Sequence, residues 1–177
     1  MTVAGCGGGQ TLVAHASAGV VSAFGAVVPA AFGRAGHIAA DAKREGDGAS
    51  PVGHWVIRGA LLRPDRVAAP VSRLPWRWLR VADGWSDDGA DPAYNRPVTH
   101  PHGFGAERLW RDDGVYDIIV VLGHNDSPPV AGQGSAIFLH CARADFRPTE
   151  GCVAVERGVL AEWLDRLQPG DNVVMAR

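Results

Sequence analysis

Twenty-three glycines and twelve prolines in 177 residues constrain this chain more than any other feature. Together they make up about one residue in five, against a usual share of about 12%. A chain so punctuated turns often, which disfavours long helices and favours a mainly β fold of short strands. It is not a disordered chain: 46% of its residues are apolar and six are tryptophan, enough to offset the entropy of ordering. Its length suits one domain spanning 1–177, with no internal repeat and no linker long enough to divide it. The net charge of −2 leaves no basic footprint, so neither nucleic acid nor an anionic membrane is an expected partner. Sixteen of the seventeen basic residues are arginine and Lys43 is the one lysine, a bias that codon usage in a GC-rich genome explains.

No charged side chain precedes Arg34. A secretory signal needs basic residues before its apolar run, and none stand there. The Leu12–Phe32 stretch is rich in alanine and glycine and interrupted by His15, Ser17, Ser22 and Pro29, so it lacks the unbroken run of a membrane span. It reads instead as two weak strands, Thr11–Ala16 and Val20–Val28, after a flexible leader over 1–10. Residues 34–53 are turn chemistry throughout. Gly53–Leu62 reads as a strand with Trp55, Ile57 and Gly59 on one face. Residues 63–112 read as a long irregular insertion, and a loop of that length inside a domain is usually functional.

Order returns at Tyr116–Leu122 and at Gly134–Leu139, apolar runs of the kind that form buried strands. Val153–Val155 is a short extended piece. One helix is expected at 156–168, where Val159, Leu160, Trp163, Leu164 and Leu167 recur at helical spacing before Pro169-Gly170 stops it. Asn172–Met175 is a final strand.

Two strand ends carry the chemistry: Gly123-His124-Asn125-Asp126, and Leu139-His140-Cys141 followed by Thr149-Glu150-Gly151-Cys152. A histidine ending a buried strand and a cysteine after a glycine can meet across the short loop between them. An imidazole within hydrogen-bond reach lowers a thiol from its ordinary value of about 8.5, and the thiolate is a nucleophile. The plainer reading makes Cys152 a small buried hydrophobe and His140 a backbone partner. Three cysteines are too few and too odd in number for a disulfide scaffold, and no CxxC occurs. A metal held by His124 and His140, with Asp126 or Cys152, is a weaker alternative because neither HxxxH nor HxH is present.

The Gly46–Gly53 stretch (GDGASPVG), the strand-histidine at Ile137–His140 and the Thr149-Glu150-Gly151-Cys152 signature resemble the YkuD-type L,D-transpeptidase catalytic domain, in order and spacing, from about Gly33 to Met175. The resemblance implies a compact β-rich sandwich or barrel-like fold. It also implies a cysteine acyltransferase that cross-links peptidoglycan stem peptides without a cofactor or metal. By that resemblance Cys152 is the nucleophile and His140 the general base. The Cys141 backbone carbonyl orients the base, and the Gly151 and Cys152 amides form part of an oxyanion hole. Three departures bear on the substrate. Glu150 stands where histidine or another residue is usual between Ser/Thr and Gly-Cys, the loop from His140 to Cys152 is shorter than is typical, and Val153-Ala154 replaces the polar residue often found after the cysteine.

A substrate with carboxylates and an amine calls for polar contacts. The candidates are His124 and Asn125 at the neighbouring strand end, Thr149 and Glu150 beside the cysteine, and Trp85 and Arg96 from the long insertion. Glu150 is expected to point away from the thiol or to meet a cationic group of the substrate. Two further readings stay open: a peptidoglycan L,D-peptidase using the same pair, and a non-catalytic wall-binding domain. The resemblance implies the cell envelope or periplasm, whereas the sequence shows no export signal and does not set the oligomeric state.

Overall fold

The computed structural model describes residues 9–177. In chain order the strands are β1 (Thr11–His15), β2 (Val20–Ala23), β3 (Ala26–Ala31), β4 (His37–Ala39), β5 (Ser50–Leu62), β6 (Trp76–Trp78), β7 (Asp83–Ser86), β8 (Pro97–Thr99), β9 (Ala106–Arg108), β10 (Ile118–Leu122), β11 (Phe138–Cys141), β12 (Val153–Val155) and β13 (Asn172–Ala176), with helix α1 (Arg157–Arg166) between the last two. The fold is mainly β, as expected, and barrel-like. Strands run in the order β10-β11-β12-β3-β2-β1-β13-β5, and β5 also pairs with β10, which closes the ring.

The long strand β5 makes this closure possible. Gly53–Val56 pair with β13, and Ile57–Leu62 pair with β10. Between them the register slips: Ile57 faces Leu122 while Gly59 faces Val121, leaving Arg58 as the extra residue of a bulge. A bulge bends a strand and shifts its alternation. Ile57 therefore faces the main core together with Ala60 and Leu62, whereas Leu61 belongs to a second apolar cluster on the other side. The expected face through Gly59 ends at this bulge.

The main core combines Leu12, Val21, Ile118, Val120, Leu139, Val153 and Val155 with Leu160, Trp163 and Leu164 of α1. The second cluster lies on the opposite face of β10 and β11, where Ile119 and Phe138 pack with Trp85, Leu109 and Tyr116. A sheet buried on both faces reads as unbroken apolar sequence, which is why Tyr116–Leu122 stood out. Helix α1 starts one residue later than expected because Glu156 is its N-cap, its carboxylate accepting from the Val159 amide at 2.9 Å. It ends at Arg166, and Leu167 is the C-cap.

Three expectations need correction. The segment Val20–Val28 is not one strand, because Phe24 and Gly25, with φ of 52° and 84°, make a two-residue hairpin turn between β2 and β3. The insertion over 63–112 is not irregular: β8-β7-β9 form a three-stranded sheet within it, and β6 joins β5. The stretch 34–53 includes β4, paired with the start of β5. The leader expected over 1–10 falls largely outside the described residues, but its last residue, Gln10, donates its amide to Asp171 Oδ1 at 2.6 Å.

Leu160 is fully buried in the main core. Leu160→Ala is expected to destabilise the fold by about 2–5 kcal/mol, read as a lower urea midpoint with an unchanged m-value.

Candidate active site

Strand alternation brings the reactive residues together. Along β11, Leu139 and Cys141 face the main core, so Phe138 and His140 face outward. Along β12, Val153 and Val155 face the same core, which turns Cys152, two residues before Ala154, to the outer side. β11 and β12 run parallel with His140 opposite Ala154. One face of two adjacent strands thus carries both groups, and they line a single cleft of about 600 Å³.

The turn before Cys152 requires glycine. Gly151 has a φ of +135°, and a Cβ there would lie 2.9 Å from the Ala49 carbonyl oxygen. Thr149 fastens the same turn: its hydroxyl donates to the Cys152 carbonyl at 2.7 Å and accepts from the Gly151 amide at 3.2 Å. That amide is therefore engaged within the turn.

His140 Nδ1 lies 3.0 Å from the Cys141 carbonyl oxygen, so the ring donates there and leaves Nε2 as the basic nitrogen. The Tyr116 ring meets the imidazole edge-on at 5.3 Å between centroids. Burial, with Arg143 and Arg111 nearby, pulls the imidazole down to about 4. Burial pushes the Cys152 thiol up to about 12; Glu107 adds to this and Lys43 opposes it. Both shifts favour the uncharged forms of the pair. The thiol accepts from the Phe138 amide at 3.3 Å and donates to the Ala136 carbonyl at 3.2 Å. Among the described residues these are its hydrogen bonds, and the expected bond to His140 is not formed. A neutral thiol is a donor, and the Ala136 carbonyl is the acceptor it meets.

Ala136 holds this place with a φ of 51°. Its amide donates to Asn95 Oδ1 at 3.1 Å. The same oxygen accepts from Trp85 Nε1 at 2.9 Å, and the Asn95 amide group donates to the His124 and Asn125 carbonyls. Asn95, 4% exposed, is thus a buried junction linking the insertion to the thiol, and sequence reading passed over it.

Several candidate substrate contacts have internal duties instead and do not line the cleft. Trp85 is buried against Phe138. Arg96 donates to the Asn95 and Asp126 carbonyls. Asn125 closes its own loop on Val130 and Gly134. His124, 4% exposed, has Nε2 at 3.0 Å from the Gln133 carbonyl and packs edge-on against Trp55. Among the described residues no group of three His, Cys, Asp or Glu side chains could hold a metal ion, so His124 and His140 are not joined in one.

Thr149 and Glu150 do line the cleft. Glu150 points to the rim, where it meets Arg34 Nε at 2.8 Å. The remaining charged lining is Glu45, Asp87, Glu107, Arg111, Arg143 and Arg147. Arg143 and Arg147 lie in the loop between His140 and Cys152, a position that could have marked them.

A thiol held neutral reacts in proportion to its small thiolate fraction. Alkylation of Cys152 by iodoacetamide is therefore expected to rise about tenfold per pH unit from pH 7 to 9 without a plateau, measured by mass spectrometry against Cys152→Ala. A plateau near neutral pH would show that the thiol is ionised at rest.

Comparison with known proteins gives the following. A family model described as the L,D-transpeptidase catalytic domain, YkuD, matches residues 10–175. Among solved structures, the chain is similar to L,D-transpeptidase 1 of Mycobacterium tuberculosis, with 15% identity, 96% of this chain and 62% of that chain covered, and a TM-score of 0.43. It is also similar to L,D-transpeptidase 3 of the same organism in complex with a faropenem-derived adduct, with 16% identity, 95% and 60% covered, and a TM-score of 0.46. An L,D-transpeptidase from Mycobacterium smegmatis shows 15% identity, 95% and 58% covered, and a TM-score of 0.42. The chain spans about three fifths of the length of these proteins. The comparison with curated proteins finds no match. A family match over nearly all of the chain is decisive, and the protein belongs to the YkuD family of L,D-transpeptidase catalytic domains.

Proposed function

We propose that this domain is a cysteine acyltransferase acting on peptidoglycan stem peptides. The observation that carries the reading is the placement of Cys152 and His140 on one face of paired strands, in one cleft, with Nδ1 of the imidazole engaged by the Cys141 carbonyl. Family membership supplies the peptide substrate class, and the cell envelope is where that substrate lies.

In the proposed reaction His140 Nε2 takes the proton of the Cys152 thiol. The sulfur attacks the carbonyl that follows an L-centre of the donor peptide, forming a tetrahedral oxyanion. As the C–N bond breaks, the imidazolium returns its proton to the departing amine, leaving a thioester on Cys152. An acceptor amine then gives up a proton to His140, attacks the thioester and regenerates the thiol, forming a new amide. The Cys152 amide is the backbone donor left for the oxyanion, since Thr149 holds the Gly151 amide.

Incubation with purified sacculi and chromatographic analysis of muropeptides tests this. New cross-linked dimers are expected with the native protein and none with Cys152→Ala or His140→Ala. Trimmed monomers without dimers would make water the acceptor and the domain a peptidase. Products unchanged by Cys152→Ala would end both readings, and no products with any form would favour a wall-binding role. Incubation with imipenem is expected to add one acyl adduct at Cys152, which lines the cleft, and none at Cys141, which faces the main core.

A further inference from the structure

The buried Asn95 side chain joins three separate segments. Its Oδ1 accepts from Trp85 Nε1 of β7 at 2.9 Å and from the Ala136 amide, just ahead of β11, at 3.1 Å. Its Nδ2 donates to the carbonyls of His124 and Asn125, just past β10, at 3.1 and 2.7 Å. Two donors meet the oxygen and two acceptors meet the nitrogen, so the amide is held in one orientation. Neither a carboxylate nor an apolar side chain of the same shape offers that pattern. The backbone is tied as well, the Asn95 amide donating to the Ser86 carbonyl at 2.9 Å. Its φ of 55° is left-handed, a conformation that asparagine tolerates.

Ala136 has no such tolerance. At a φ of 51° its Cβ crowds the backbone, so the residue stays there only if it is held. Asn95 holds the peptide on one side of it through the Ala136 amide. On the other side, the Ile137 carbonyl accepts from the Leu122 amide at 3.2 Å. The Ala136 carbonyl lies between these two ties and accepts from the Cys152 thiol at 3.2 Å. The Phe138 amide meets the same sulfur at 3.3 Å. One side chain of the insertion thereby reaches the nucleophile through a single residue.

We propose that Asn95 is a positioning residue for the nucleophile. By clamping Ala136 it aims that carbonyl at Cys152 Sγ, which fixes where the sulfur waits and which way its proton points. Only the protonated sulfur can donate, so this bond must break when the thiol ionises, and it sets part of the cost of forming thiolate. The insertion that carries Trp85 and Asn95 is then a component of the reactive site rather than a cover over it. The consequence for catalysis rests on the acyltransferase reading; the placement of the thiol proton does not.

Infrared spectroscopy of the S–H stretch reads the clamp directly, because donating to a carbonyl lowers that frequency. Subtracting the spectrum of the matching Cys152→Ala form isolates the Cys152 band. The native band is expected at the lowered frequency of a donor thiol, and the Asn95→Ala band at that of a free one. In Asn95→Ala the iodoacetamide rate at pH 8 is expected to rise about threefold, the scale of one weak hydrogen bond. Glycine occupies the left-handed region without strain, so adding Ala136→Gly to Asn95→Ala is expected to return band and rate toward their native values. A side chain that merely braced the loops would give no such rescue, because glycine adds no contact. Ala136→Gly alone removes the methyl that packs on the second cluster and keeps the Asn95 bond, so its band is expected at the native position. That variant is decisive if Asn95→Ala does not fold. A native band at the free-thiol frequency, an unshifted band in folded Asn95→Ala, no rescue by glycine, or a free-thiol band in Ala136→Gly would overturn the proposal. None of these measurements needs turnover, so a failure to form dimers would count against the acyltransferase alone.

Discussion

The parallel pairing of β11 with β12 is the constraint on which the site depends. Because His140 stands opposite Ala154 and side chains alternate with a period of two, a slip of one residue between these strands would turn Cys152 inward. The core forbids that slip. Leu139, Cys141, Val153 and Val155 all sit on the inner face, so a shifted register would put apolar groups outside and the imidazole inside. Gly151 and Thr149 then fix how the chain enters β12. The geometry of the candidate pair is in this sense a by-product of core packing, with one glycine and one hydroxyl added.

What packing does not supply is ionisation. Burial disfavours charge on the sulfur and on the ring alike; Arg143 and Arg111 reinforce that effect at the ring and Glu107 at the sulfur, where Lys43 opposes it. The three-stranded sheet carries Glu107 to the thiol and anchors Trp85 through Asn95 beneath it. The loop between His140 and Cys152 carries Arg143 and Arg147. A β framework therefore sets distances, while its excursions set the electrostatic conditions under which the pair can react.

The parts of the fold that were legible in sequence are those where burial leaves a periodic record. β10, β12, α1 and β13 were placed within a residue or two, because a strand buried on both faces or a helix with one apolar stripe repeats its signal. The turn at Phe24-Gly25 was missed because phenylalanine is an unusual residue for a left-handed turn position, where asparagine or aspartate would have announced it. The sheet of β7, β8 and β9 was missed because strands of three or four residues, broken by prolines, are too short to show alternation. Within the site, His140, Cys141 and Cys152 were named in advance. Of the substrate candidates, Thr149 and Glu150 line the cleft, whereas His124, Asn125, Arg96 and Trp85 are polar or aromatic groups that the structure uses to stitch loops together. Glu107 escaped notice because β9 is only three residues long, and Arg111, Arg143 and Arg147 because single arginines in loops carry no period at all.

The order of strands around the ring has one more implication. β13 lies between β1 and β5, pairing in parallel with the first and antiparallel with the second. During synthesis, a nascent polypeptide that has not yet reached residue 172 has an open seam between its earliest and its longest strand, with backbone donors and acceptors unpaired on both borders. The cysteine and histidine emerge from the ribosome before that seam can be sealed, so the reactive face is finished only when almost all of the domain has been translated.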